Sequence, residues 1–424
     1  MAYRRRIIDD ELDDLFPSLA AVALEGPKAV GKTATATQRA KTILRVDDPA
    51  VAQLLRAAPE QVGTMETPIL FDEWQHVPEL WNVIKRRVDS DTTGGQYLLT
   101  GSATSTSMIG LHSGAGRIDL RRMRPLAFSE RERETPTVSL AELLKGSAQA
   151  SGTTAVRAGD YVEEIIASGF PAIRALTDRA RSTQLDTYIS RIITHDFPEQ
   201  GGSRVRRPQS LRNWMRSYAA ATATTTTMAQ IARASQPGDA DIPAAKTITH
   251  YRDVLSDLWI LDPVEAWSPT NNSFKRLAQA EKHFLADPAL AVRLLRLDRR
   301  SLLDAQDPVE LRGRGGSALG PLFEALVALS LKTYAQADDA SLYHFRTPNG
   351  NHEIDFIVVG QDGGLVAVEV KLANTIDDDD TRHLRWLKSQ VGHDVRDLVV
   401  VNTGPFAYRR TDGIAVIPLA LLAP

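Results

Sequence analysis

The chain has no cysteine. Disulfides, thiolate nucleophiles and cysteine-based zinc sites are excluded, and a cytoplasmic protein is expected. An excess of charge of one sign is also missing: 50 Lys and Arg stand against 53 Asp and Glu, a formal net charge of -3. No global basic field announces a nucleic-acid partner, so any such binding must come from local patches. No apolar run approaches the length of a membrane span. The start of the chain puts Arg4 to Arg6 ahead of acids rather than ahead of an apolar segment, which reads as a solvated tail and not as a secretory signal. Hydrophobic residues at 43% and charged residues at 24% of 424 indicate a globular protein. That length exceeds one ordinary core and implies about two to four domains.

What is present begins with Gly26-Pro27-Lys28-Ala29-Val30-Gly31-Lys32-Thr33. It fits the phosphate-binding pattern G-x-x-x-x-G-K-[ST] at every fixed position. An apolar run, Leu19 to Leu24, precedes it as a buried strand, and Ala34 to Ala40 follows as a helix. Backbone N–H groups of such a loop and its helix form an anion cradle. Lys32 would reach the β/γ-phosphates of ATP, and the Thr33 hydroxyl would ligate Mg²⁺.

A second apolar run, Pro68 to Phe71, ends in Asp72 and Glu73. In an open parallel sheet ligands sit at the carboxyl ends of strands. Asp72 would hold the Mg²⁺ shell, and Glu73 would orient or deprotonate the attacking water. A third strand, Gln96 to Ser102, ends in hydroxyl residues; Thr100 and Ser102 are candidates to sense the γ-phosphate. Arg117 leads a further strand and is a candidate to neutralise transition-state charge in cis or in trans. Supply in trans would require a homo-oligomer.

The middle of the chain reads as helices over 160–200, with a Gly169-Phe170-Pro171 turn and a hinge at Gly201 to Pro208. The Ala/Thr-rich run Ala219 to Thr227 resembles a linker, but a short helix at Met228 to Ala232 and an amphipathic helix at Lys246 to Leu258 follow it. Ile248, Tyr251, Leu255, Leu258 and Trp259 share one face. With an apolar strand at Trp259 to Leu261, the pattern suggests a winged helix-turn-helix. Lys246, Thr249, His250 and Arg252 would point outward, either towards DNA or simply as a solvated face.

The last hundred or so residues carry a second constellation. Asn351 to Val359 is an alternating strand, Gln361 to Gly364 a turn, and Leu365 to Leu372 the return strand. Glu369 and Lys371 lie on one face, and Asp355 can meet them across the hairpin. Two carboxylates and a lysine suit a Mg²⁺-dependent phosphodiester hydrolase: Asp355 and Glu369 would ligate the metal and Lys371 would position or deprotonate water. Glu324, at the start of an upstream helix, could add an acid. A surface hairpin with an ordinary ion pair, or a nuclease-shaped domain without activity, remain the alternatives.

Taken together, these residues resemble prokaryotic AAA+-type ATPases that carry a C-terminal domain of unknown function with a restriction-endonuclease-like PD-(D/E)XK core. The resemblance spans nearly the whole chain. It rests on Gly26 to Thr33, Ile69 to Leu80, Leu98 to Ser102, Gly116-Arg117, Arg124 to Phe128, Ser168 to Pro171, Phe323-Glu324, Glu353 to Phe356 and Glu369-Val370-Lys371. The expected fold class is α/β: a P-loop NTPase (ASCE/AAA+-like) parallel-sheet domain over 1–135, a helical lid or linker over 136–208, a winged helix-turn-helix over 209–285 and a PD-(D/E)XK nuclease-like domain over 286–424. The expected function is a Mg²⁺-dependent ATPase coupled to a nuclease-like domain acting on or near DNA. The rival is a nucleotide-dependent switch, scaffold or regulator with an inactive nuclease-like domain.

Overall fold

The computed structural model describes residues 3–101, 115–201, 207–235, 244–268, 280–303, 318–347 and 349–424. Its first sheet is built from the short apolar runs read above: β1 Ala21–Glu25, β2 Thr42–Arg45, β3 Ile69–Asp72, β4 Tyr97–Thr100 and β5 Ile118–Arg122. The order is β2-β3-β4-β1-β5 and every pairing is parallel. β1, β3 and β4 are buried at every residue, as central strands covered on both faces must be.

Alternation along these strands divides the core. Ala21, Ala23, Ile69, Phe71, Tyr97 and Leu99 face a core closed by Trp74, Trp81, Ile84 and Leu55. Val22, Leu24, Leu70 and Leu98 face the opposite way, against Ile8 and Leu12 of the helix Ile7–Leu15. That second core does not stop there. It runs without a break through the helices of the middle region to Leu422.

The second sheet is mixed. Its strands are β7 Gly152–Thr153, β8 Glu265–Ala266, β9 Ser341–Arg346, β10 Glu353–Val359, β11 Leu365–Lys371, β12 Val395–Asn402, β13 Phe406–Arg409 and β14 Ala415–Pro418, in the order β7-β13-β14-β12-β11-β10-β9-β8. A separate pair joins β15 Leu422–Ala423 to β6 Val138–Ser139. Hydrogen bonding therefore crosses the limits expected from sequence: residues 138–139, 152–153 and 265–266 all pair with strands of the carboxyl-terminal region.

The helix Leu319–Ala337 joins the two halves. Thirteen of its 19 residues are buried. Ser330 Oγ accepts from the Phe128 N–H at 3.1 Å and Tyr334 Oη from the Ser129 N–H at 2.9 Å. Phe323 sets its ring edge-on to Tyr161 at 5.1 Å. The chain that leaves β5 is thus hydrogen-bonded to a helix some two hundred residues away.

Helices Met228–Ala234 and Ala245–Asp257 form where expected. Thr227 caps the first reciprocally with Gln230, which ends the Ala/Thr-rich run in a helix start rather than a linker. Ile248, Tyr251, Leu255 and Leu258 are buried. The strand expected at Trp259 to Leu261 is reduced to single antiparallel bridges, Leu261↔Leu285 and Val264↔Lys282. Trp259 has φ of 60°, a left-handed conformation that cannot continue an extended strand. His250 does not point freely outward: its ring stands edge-on to Phe197 at 5.3 Å. No described helix is long and apolar enough to cross a membrane.

Phe323 is fully buried at the junction of the two halves. Phe323→Ala is expected to lower unfolding stability by about 3–5 kcal/mol, read as a shift of the chemical denaturation midpoint; a loss below about 1 kcal/mol would contradict this packing role.

Candidate nucleotide site and a second carboxylate cluster

The loop between β1 and the helix Lys32–Thr37 is shaped by two glycines. Gly26 has φ of 147°, and a Cβ there would lie 2.1 Å from the Met123 carbonyl oxygen. Gly31 has φ of 105°. Neither position accepts a side chain without moving backbone. The loop is braced from outside. Buried Arg6 donates from Nη1 to the Val30 carbonyl at 3.0 Å and from Nη2 to the Arg124 carbonyl at 2.9 Å, and pairs with Glu130 at 2.8 Å. Arg6 is therefore a strut and not part of a solvated tail. Tyr188 donates to the Lys28 carbonyl at 3.2 Å, and the Lys28 ammonium pairs with Asp196 at 2.8 Å. Lys28 thus contributes its backbone to the loop and sends its charge to the helical region.

Lys32 arches over the loop. Its ammonium donates to the carbonyls of Gly26 at 2.7 Å and Pro27 at 2.9 Å. Burial pulls its pKa down to about 8, against the opposing charges of Glu73 and Asp72. At the end of β3, one oxygen of Asp72 accepts from the Thr33 hydroxyl at 2.7 Å and from the Thr100 hydroxyl at 2.6 Å. Glu73 follows with φ of 54°, and its carboxylate accepts from the Gln75 amide. Lys32, Thr33, Asp72, Glu73 and Thr100 are thereby gathered at the carboxyl ends of three neighbouring strands. The donors around Asp72 are all oxygen, the chemistry a hard cation requires. Thr33 and Asp72 would hold Mg²⁺.

Ser102 lies outside the described residues. Arg117 does not join the group. The register Ala21↔Ile118 puts it level with Ala20, at the amino-terminal edge of the sheet, roughly 17 Å of strand from Glu25. There it pairs with Asp89 at 2.7 Å. A role in cis is excluded by this placement.

The carboxyl-terminal residues do converge. The register Phe356↔Val368 sets Asp355 level with Glu369, and Asp355 Oδ2 accepts from the Val370 N–H at 2.9 Å. Lys371 lies 3.9 Å from Glu369 and 3.6 Å from Asp380. Among them stands a residue that sequence reasoning missed. The ammonium of Lys282 is 2.6 Å from Glu324, 2.9 Å from Asp355 and 3.7 Å from Glu353. Burial disfavours its charge, but Asp355 and Glu324 outweigh burial and raise its pKa. Asp355 is held below its usual range: burial opposes this, and Lys282 prevails. Burial, then the charge of Asp355, pushes Glu324 up to about 8 and Glu369 well above its usual range. One ion pair, Lys282 with Asp355, dominates the cluster. Its oxygen donors match Mg²⁺ in type, but an ammonium stands between two of them, so a metal does not fit the arrangement as it is.

Known proteins match in three blocks. Residues 19–132 match an AAA domain. This is an ATPase-type nucleotide-binding module, and it covers every residue gathered around Asp72. Residues 158–301 match a domain of unknown function, DUF8612, and residues 319–422 match another, DUF4143. The chain is also similar to uncharacterized proteins of Mycobacterium bovis and Mycobacterium tuberculosis. Each is 24% identical over 404 residues, covering 94% of this chain and 79% of the relative.

The lowered pKa of Lys32 gives a signed expectation. A phosphate anion favours the protonated lysine and raises its pKa on binding, so the added affinity is complete below the free value of about 8 and falls as pH rises through the bound value. Calorimetry near pH 9 (about one unit above the free value) in buffers of different ionisation enthalpy should register proton uptake on ATP binding. No uptake would mean that Lys32 does not meet the phosphates.

Proposed function

We propose that the chain binds and hydrolyses ATP with Mg²⁺ and uses the nucleotide state to reposition its carboxyl-terminal half. The observation that carries this reading is the shared oxygen of Asp72, hydrogen-bonded to both Thr33 and Thr100 beneath a lysine that closes its own loop. With phosphates present, Lys32 would leave the carbonyls of Gly26 and Pro27 and donate to the β/γ-oxygens instead. Loop amides of residues 26–33 would donate to the same group. Magnesium held by Thr33 and Asp72 would neutralise phosphate charge. Glu73, now tied to Gln75, would turn to orient or deprotonate water, and Thr100 would sense the γ-phosphate.

Coupling follows from alternation at the end of β5. Met123 abuts Gly26 and Gly31. Its neighbours point the other way: Arg122 and Arg124 reach Asp262 at 3.0 and 3.1 Å, and Arg124 donates to Gln336 at 3.0 Å. Movement of the loop against Met123 would be felt at Asp262 and along the helix Leu319–Ala337.

DNA is the proposed partner, with exposed Lys246, Thr249 and Arg252 on the helix Ala245–Asp257 as candidate contacts. A cytoplasmic setting and the absence of cysteine agree. If an arginine acts in trans, a homo-oligomer is required. Nuclease action would need a metal at Asp355 and Glu369, with Glu324 and Lys371 assisting. The second reading, a nucleotide-dependent switch or scaffold with an inactive nuclease-like domain, is favoured by the position of Lys282.

Lys32→Ala is expected to abolish ATP turnover, and unchanged turnover refutes the phosphate site. Glu73→Gln should keep ATP binding while lowering turnover by about 10²–10⁴-fold. An equal loss of binding would assign Glu73 to the metal shell instead.

A further inference from the structure

Lys282 is buried to 1% exposure of its side chain and is fixed at its root. Its N–H donates to the Val264 carbonyl at 2.8 Å, and its carbonyl accepts from the Val264 N–H at 2.9 Å. Its ammonium lies 5.6 Å from the centre of the Phe356 ring. A buried ammonium persists only where carboxylates meet it, and here they come from two elements, Glu324 from the helix Leu319–Ala337 and Asp355 and Glu353 from β10.

The same antiparallel hairpin, residues 261–264 bridged to 282–285, carries a second pair of opposite polarity. Asp262, two residues before the bridge Val264↔Lys282, accepts from the Lys332 ammonium at 2.6 Å. Glu324 and Lys332 are eight residues apart on one helix, which is about two turns and so one face. Lys282–Glu324 and Asp262–Lys332 thus clamp hairpin to helix, with the basic and acidic members exchanged between the two elements.

A divalent cation needs about six to eight oxygens drawn close around it. Here the oxygens of Glu324 and Asp355 are turned onto an ammonium. The two occupants exclude each other by volume and by like charge.

We propose that Lys282 is a resident cation that takes the place of a divalent metal among Glu324, Asp355 and Glu369, so that this cluster holds the hairpin and the long helix together and neither binds Mg²⁺ nor cleaves phosphodiesters. The inference deepens the second reading above and rests on it; it is independent of the ATP site. Lys371, 3.9 Å from Glu369, is left without a metal-bound water to act on. Its remaining close partner is Asp380.

The test is Mn²⁺ titration followed by electron paramagnetic resonance, using the full chain without nucleotide in an Asp72→Asn background, which removes the proposed metal ligand of the nucleotide loop, with Asp355-dependence of each site as the readout. With Lys282 present, Asp355→Asn should leave Mn²⁺ binding unchanged. Lys282→Met should gain a site at least about tenfold tighter, by about 1.4 kcal/mol, and the further change Asp355→Asn should abolish it. Failure of Lys282→Met to gain the site overturns the surrogate role. So does Asp355-dependent Mn²⁺ binding by the chain that keeps Lys282. Should Lys282→Met not fold, that second comparison still decides, together with Mg²⁺-dependent cleavage of plasmid DNA: cleavage by the unaltered chain that Asp355→Ala removes contradicts the proposal. None of these readouts depends on ATP turnover, so loss of this inference and loss of the ATPase reading are separately visible.

Discussion

Asp262 is the charge on which the union of the two halves depends. It is buried, and three cations surround it: Arg122 and Arg124 from the end of the nucleotide-binding sheet and Lys332 from the long helix. Burial alone would raise its pKa, but Arg122, Lys332 and Arg124 overcome that and hold it far below the usual carboxylate range. The surplus positive charge is felt by its neighbours. Burial, opposed by Asp262, brings Lys332 down to about 7. Taking away the carboxylate that all three cations contact would leave them facing each other in a buried site, which is far worse than removing an exposed pair. The arrangement has strong directionality: each guanidinium reaches Asp262 only if β5, the hairpin and the helix keep their relative places.

That constraint explains why the nucleotide loop is not an isolated module. Met123 lies between Arg122 and Arg124 and packs its backbone against Gly26. Arg6 holds the Val30 and Arg124 carbonyls with one guanidinium. On the far side, Tyr188 and Asp196 hold Lys28. The loop is therefore touched by the amino-terminal helix, by the end of β5 and by the helical region together. A change in its shape has several rigid elements to push on, and the unbroken core behind them transmits displacement because close-packed interiors have little slack.

Much of the candidate nucleotide site was legible because its residues are local in sequence. Gly26 to Thr33 is one continuous string, and Asp72 and Thr100 end strands whose apolar runs announce burial on both faces. The parallel sheet follows from those runs. Glu369, Lys371 and Asp355 could be brought together from strand alternation and a hairpin turn. What escaped reading was long-range and polar. Lys282 sits in Glu281-Lys282-His283, where no spacing links it to Glu324 or Asp355. Arg6 looks like one of three tail arginines until Glu130 is seen to meet it. Arg117 leads a strand, as expected, and because β5 runs parallel to β1 a leading residue stands at the edge opposite the carboxyl ends where ligands sit. The strand expected at Trp259 to Leu261 is missing because an apolar run does not show backbone handedness: Trp259 is left-handed, with the Arg122 guanidinium 4.3 Å from its ring.

Lys32 and Lys282, both buried, state the difference between the two sites. Lys32 has only neutral carbonyls as hydrogen-bond partners, and burial lowers its pKa to about 8. Its ammonium gains more from an incoming anion than from what it now holds, so the loop is poised for a ligand. Lys282 has carboxylates as partners, and they raise its pKa in spite of burial. Its ammonium would lose the stronger interaction by leaving and would strand acids without a counter-charge. On the proposed reading, Lys32 is held weakly where phosphate would bind, and Lys282 is held strongly where a metal would otherwise sit. Burial disfavours the charge of both ammonium groups, and at Lys282 the surrounding carboxylates reverse the shift while at Lys32 they do not.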